Sequence, residues 1–181
     1  MSLVLNLGQQ HFFDDWLKGD FTRIIDYCKS DGDAFQDIPF SLPGTFRHID
    51  RAFPGSKFVL TIRNSADEWY NSLVSFHAKH FSESGSVPPT EKDLEEATYW
   101  RKGFIRDYCQ FVLGTPINAP YEREAAINFY NQYNQEVMEY FESRSRDLLV
   151  LNVSDEHAYS SLCSFLGLPA CDGVFPWENK T

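Results

Sequence analysis

The chain predicts an α/β fold, a parallel sheet flanked by helices, from three observations. The short β-rich apolar run Phe58 to Ile62 carries the pattern of a strand covered on both faces, and Asp147 to Val153 reads as the last strand. Segments of helical periodicity lie before, between and after them, and such alternation favours parallel strands wrapped by helices. At 181 residues, with 43% hydrophobic and 16% aromatic side chains, the chain can bury a substantial core and need not be disordered. One domain covering residues 1–181 is expected.

The elements follow in order. Phe12 to Lys18 reads as a short helix. Asp20 caps a second, with Phe21, Ile24, Ile25 and Cys28 on one face. Ser30-Asp31-Gly32-Asp33 reads as a turn and Ala34 to Asp37 as a short strand. Pro43 suits the first turn of a helix burying Leu42, Phe46, Ile49 and Phe53, and Pro54-Gly55 stops it. After the strand at 57–62, Ser65 with Glu68 forms a capping box that starts a helix at Ala66, running to about 80. Ser82 to Pro89, rich in Ser, Gly and Pro, predicts a mobile loop. Thr90 with Asp93 starts a helix that breaks near Gly103 and ends by Gly114. A long helix near 121–143 offers Ile127, Tyr130, Val137 and Phe141 to the core. Ser154 caps the last helix, Gly167 ends it and Pro169 forbids its continuation.

Charge and composition exclude several classes. A formal charge of −10 disfavours broad nucleic-acid binding and requires a local positive site for any anion. No apolar run reaches the ~18 residues of a membrane span. The first thirty residues lack the pattern of a signal peptide. Cys28, Cys109, Cys163 and Cys171 show no C-x-x-C pair. Cys28, Cys109 and Cys163 read as small buried hydrophobes and Cys171 as a loop thiol, so disulfides are not expected and a reducing cytoplasm fits.

The segment Ser56 to Ser72 carries the chemistry. A strand ends in Arg63, beside the free N–H groups of the helix that Ser65 caps, where open α/β sheets bind anions. Ser72 lies about two turns along that helix. A guanidinium and a hydroxyl converging there would make a phosphate clamp. The alternative is a surface arginine paired with Asp67 or Glu68. His77 and His80 read as a solvated helix end, because no Cys or acidic residue stands at metal-ligand spacing; no metal is expected. Tyr99, Trp100 and Tyr108 read as core or cleft-wall aromatics.

Lys57-Phe58-Val59-Leu60-Thr61-Ile62-Arg63-Asn64, followed by Trp69-Tyr70 and Ser72, resembles the sulfotransferase family, a branch of the P-loop NTPase superfamily. Phe35-Gln36-Asp37-Ile38-Pro39, Phe53-Pro54-Gly55-Ser56-Lys57, Leu162-Cys163-Ser164-Phe165-Leu166-Gly167 and Phe175-Pro176-Trp177-Glu178-Asn179 extend the resemblance over roughly residues 7–180. The resemblance implies that Arg63 and Ser72 hold the 3′-phosphate of 3′-phosphoadenosine 5′-phosphosulfate, the co-substrate. The family's usual Arg-to-Ser spacing is eight, and here it is nine. It also implies that Asp37, at the place of the family's usual catalytic His, is the base, activating a hydroxyl or amine acceptor at the sheet edge that carries Arg63. A turn or cap role is the alternative for Asp37. Arg101-Lys102-Gly103 matches a family phosphate-binding triplet, but at the wrong place along the chain, and reads as coincidence.

One departure stands out. The family opens with a strand, a glycine-rich phosphate loop and a helix, and no G-x-x-x-x-G-K-[ST] exists among these 181 residues. Met1 to Gly8 resembles the end of the helix after that loop, which points to an amino-terminally shortened chain. Alternatively, Leu3 to Leu7 is a residual first strand and the donor loop is degenerate. Without that loop's charge stabilisation, a rate loss of about 10²–10³ is expected, hence little or no sulfuryl transfer from this chain alone. The expected partners are the nucleotide donor and a small-molecule, sugar, lipid or peptide acceptor. A sheet lacking a central strand would also expose an edge for homodimerisation. The competing function is a noncatalytic binding domain on the same fold.

Overall fold

The computed structural model describes residues 10–30, 34–169, 173 and 175. The readings on Met1 to Gln9, on Asp31 to Asp33, on Cys171 and on most of the Phe175–Asn179 motif lie outside them. The chain divides into two compact units, residues 1–56 and 57–181.

The first unit holds α1 (Gln10–Lys18), α2 (Thr22–Ser30) and α3 (Thr45–Ala52). Gly19 ends α1 in the left-handed region, and Asp20 accepts the Thr22 N–H at 3.0 Å to start α2. Phe13, Ile24 and Leu42 are fully buried, and the Trp16 indole N–H donates to the Pro43 carbonyl at 2.8 Å. Two expectations change here. Residues 34–37 form no strand; the chain there is extended coil running into a turn at 37–42. Pro43 lies just ahead of α3, because Gly44, at φ 74°, takes the cap position.

The second unit holds β1 (Phe58–Ile62), α4 (Ala66–Phe81), α5 (Glu91–Glu96), α6 (Phe104–Phe111), α7 (Arg123–Phe141), a 3₁₀ stretch at Glu142–Asp147, β2 (Leu148–Asn152) and α8 (Ala158–Phe165). The two strands pair in parallel, from Phe58 opposite Leu148 to Ile62 opposite Asn152. This is the small helix-flanked parallel sheet that the alternating pattern predicts. The strands are less covered than expected. Val59 is 42% exposed and Val150 39%, and each strand has a neighbour on one side only among the described residues. On α7 the buried residues Tyr130, Asn134, Val137 and Phe141 recur at helical spacing, with Ala126 a turn earlier, while Ile127 is only half-buried.

Local chemistry explains the element boundaries. Ser65 accepts the Glu68 N–H at 3.1 Å and starts α4 at Ala66. The Glu68 carboxylate does not complete the box; it takes the Asn64 side-chain amide at 2.7 Å. The full box forms at Thr90 and Asp93. The helix this begins stops at Glu96, earlier than the pattern suggests, and Gly103 at φ 74° caps α6 separately. Asp93 also receives the Ser84 N–H at 3.0 Å and the Ser84 hydroxyl at 2.6 Å. The segment expected to be a mobile loop is therefore pinned at its middle. At the other end of the unit, α8 begins at Ala158 with His157 at its cap and no side-chain capping bond. The Ser154 N–H instead binds Asn152 Oδ1 at 3.0 Å.

The cysteine reading also needs a correction. Cys28 and Cys109 are free, as the apolar spacing predicts, but Cys163 is disulfide-bonded. With that bond the argument from cysteine usage for a reducing compartment lapses. Among the described residues no helix is long and apolar enough to cross a membrane.

Candidate functional site

A cleft of about 440 Å³ opens in the second unit at the carboxyl ends of the two strands. Thr61 and Ile62 from the end of β1, Arg63 just beyond it, and Val153 just beyond β2 form one wall. Trp69, Ser72, Leu73 and Phe76 form the other. These four stand at i, i+3, i+4 and i+7, so a single face of α4 lines the cleft. Arg63 and Ser72 are thus brought to one place, as the sequence predicts, despite the extra residue between them.

The arginine is available. Its backbone N–H donates to the Tyr130 hydroxyl at 2.9 Å, while its guanidinium makes no hydrogen bond or ion pair among the described residues. The two carboxylates nearest in sequence are engaged elsewhere: Asp67 pairs with Arg123, and Glu68 binds Asn64. The surface-pair alternative for Arg63 therefore fails. Ser72 is half-buried, and its hydroxyl is likewise without a partner among the described residues. An unpaired guanidinium presents a planar fork of donors matched to phosphate, and a hydroxyl adds one more. The apolar faces of Trp69, Leu73 and Phe76 suit the ring body of a ligand rather than a bare anion.

Around the strand ends a chain of amides fixes the backbone. Asn152 donates to Asn64 Oδ1 at 2.7 Å, joining the segment after β1 to the last residue of β2. The Trp69 ring stacks on Tyr130, with centroids 4.8 Å apart, and so ties α4 to α7.

Asp37 lies in the first unit, in an exposed turn, not at the end of a strand. Its backbone is left-handed at φ 63°, and its carboxylate accepts the Ile38 N–H at 2.9 Å. Asp tolerates that conformation better than most residues, because its short side chain bonds locally.

The histidines differ from expectation at one position. His77 is buried at 6% exposure, with Nδ1 2.8 Å from the Tyr121 hydroxyl, whereas His80 stays exposed. Burial, helped by the nearby His80, pushes its pKa down to about 4. Free Cys109, in the same buried cluster, has its thiol pushed up to about 12 by burial. The signal was present in the sequence: Val74, His77 and Phe81 share a helical face. The Arg101-Lys102 pair is neutralised by Asp107 and Glu96, each at 2.6 Å. Tyr99 and Trp100 pack on Phe104 as core-wall aromatics. No group of acidic, Cys and His side chains suited to a metal ion occurs among the described residues.

The family model described as a sulfotransferase domain matches residues 4–181. No curated protein and no solved structure gives a match.

Proposed function

We propose, since this chain belongs to the sulfotransferase family, that the cleft beside β1 binds the 3′-phosphate end of the sulfate donor 3′-phosphoadenosine 5′-phosphosulfate. The observation that carries the reading is the Arg63 guanidinium, unpaired among the described residues, lining one cleft with Ser72. Arg63 supplies a charged, bidentate contact and Ser72 a neutral one. The charge is worth more in this acidic chain, where few other positive sites would hold an anion. Calorimetric titration with adenosine 3′,5′-bisphosphate, against Arg63→Ala, tests it.

The donor supplies a sulfuryl group for transfer to a hydroxyl or amine. This chain's part is to hold and orient the nucleotide. Asp37 is the proposed base for the acceptor proton, a role the family pattern supports. Its exposure and its bond to Ile38 equally suit a turn residue. The second reading, a noncatalytic binding domain, draws support from the lack of a G-x-x-x-x-G-K-[ST] sequence among these 181 residues. That reading needs no nucleotide in the cleft, so binding of adenosine 3′,5′-bisphosphate that depends on Arg63 favours the donor-binding reading, and absence of binding favours the noncatalytic one.

A further inference from the structure

We infer that Tyr130 is a positioning residue for the Arg63 cleft, acting through the arginine's backbone. The inference rests on the donor-binding reading of that cleft and adds a residue that no part of the resemblance marks. β1 ends at Ile62, so the Arg63 N–H lies beyond the strand ladder that would satisfy it. The Tyr130 hydroxyl, reaching from α7 across 67 positions of sequence, accepts that N–H at 2.9 Å. Tyr130 is itself 9% exposed, and its ring stacks on Trp69, which lines the opposite wall. One side chain therefore holds both walls: its oxygen holds the strand end that carries Arg63, and its ring holds the α4 face that carries Trp69 and Ser72.

The arrangement has a physical reason. A guanidinium with no protein partner is held only by its own backbone until a ligand arrives. Each wrong backbone conformation at residue 63 then lowers affinity by the fraction of molecules that adopt it. A buried hydroxyl that fixes the amide removes this freedom before binding. A partly buried amide left without an acceptor would seek water or a different turn.

The test is Tyr130→Phe, which keeps the ring, its stacking and its burial while deleting the oxygen. Three readouts are taken: the Arg63 amide resonance of the ligand-free protein, thermal unfolding, and calorimetric affinity for adenosine 3′,5′-bisphosphate. The expected result is an upfield shift of the Arg63 amide proton in a protein that still unfolds cooperatively. Affinity should fall about fivefold, the equivalent of one ordinary hydrogen bond. In an Arg63→Ala background the same substitution should weaken binding no further, because there is no side chain left to position. An unmoved Arg63 amide overturns the inference, as does wild-type affinity in Tyr130→Phe. A loss that adds in full to Arg63→Ala also overturns it, since that marks a general structural defect. If the wild-type protein does not bind the nucleotide, the donor-binding reading fails, and the positioning role for that ligand fails with it. An Arg63 amide that still shifts in Tyr130→Phe would then show that only the ligand assignment was wrong.

Discussion

Arg123, the first residue of α7, pairs with Asp67 in the first turn of α4, and this contact occupies the carboxylate that would otherwise stand nearest to Arg63 in sequence. Both partners are more than half exposed, so the pair itself contributes under ~1 kcal/mol to stability. Its larger consequence is electrostatic. Arg123→Gln should leave the unfolding temperature nearly unchanged yet weaken adenosine 3′,5′-bisphosphate binding, because Asp67 is then free to compete for Arg63. Adding Asp67→Asn should restore the affinity. Equal affinities in wild type and Arg123→Gln would show that Asp67 does not compete.

Buried His77 makes stability depend on pH. Its pKa falls from an ordinary 6.5 when unfolded to about 4 in the fold, so the unfolded chain binds the extra proton first. The associated stability is complete above pH ~6.5 and is lost as pH drops from there toward 4, by about 3 kcal/mol in total. Denaturant unfolding of wild type and His77→Gln across this window checks it. The variant should lose the slope between pH 6.5 and 4, and an unchanged slope would assign it to other groups.

Asp93 anchors the segment before α5. Hydroxyl and amide donors from Ser84 and Thr90 hold its carboxyl well below the usual carboxylate range, so it stays charged at any ordinary pH. Asp93→Ala should release residues 82–90, seen as faster amide exchange and proteolytic nicking there, with the rest of the second unit still protected. Nicking at wild-type rates would mean that Asp93 does not restrain this segment.

Asp37→Asn separates two roles for one residue. Asn also tolerates φ 63° and keeps an acceptor for the Ile38 N–H, so the turn should survive. If Asp37 is the base, any sulfate transfer by the protein should fall at least about a hundredfold, with nucleotide affinity unchanged. Transfer at the wild-type rate would assign Asp37 to the turn alone.

What the sequence made legible was local. The β1 run, the Ser65 cap and the placement of Arg63 all depend on residues within a few positions of one another, and they lie where the pattern puts them. Ser72 was legible from its place about two turns along the helix; the stripe of Trp69, Leu73 and Phe76 that lines the cleft with it emerged only in the fold. What was hidden depends on distant partners. His77 meets Tyr121 across 44 positions, and Arg63 meets Tyr130 across 67. The Glu68 carboxylate had the cap N–H at hand and took the Asn64 amide instead, a choice between two local donors that spacing does not decide. Residues 34–37 hold only one strong β former, Phe35, and form no strand, since a weak β preference is realised only where another strand offers pairing. The disulfide at Cys163 left no spacing signature of the C-x-x-C kind.

The most direct measurement is calorimetric titration of adenosine 3′,5′-bisphosphate into the wild-type protein, Arg63→Ala and Ser72→Ala. Saturable binding is expected, weakening by about 1.5–3 kcal/mol, more than tenfold, when the guanidinium is removed. Loss of the hydroxyl should weaken it by a smaller ~1 kcal/mol. Binding that is equally strong in wild type and Arg63→Ala, or no binding by the wild-type protein, would contradict the donor-binding reading.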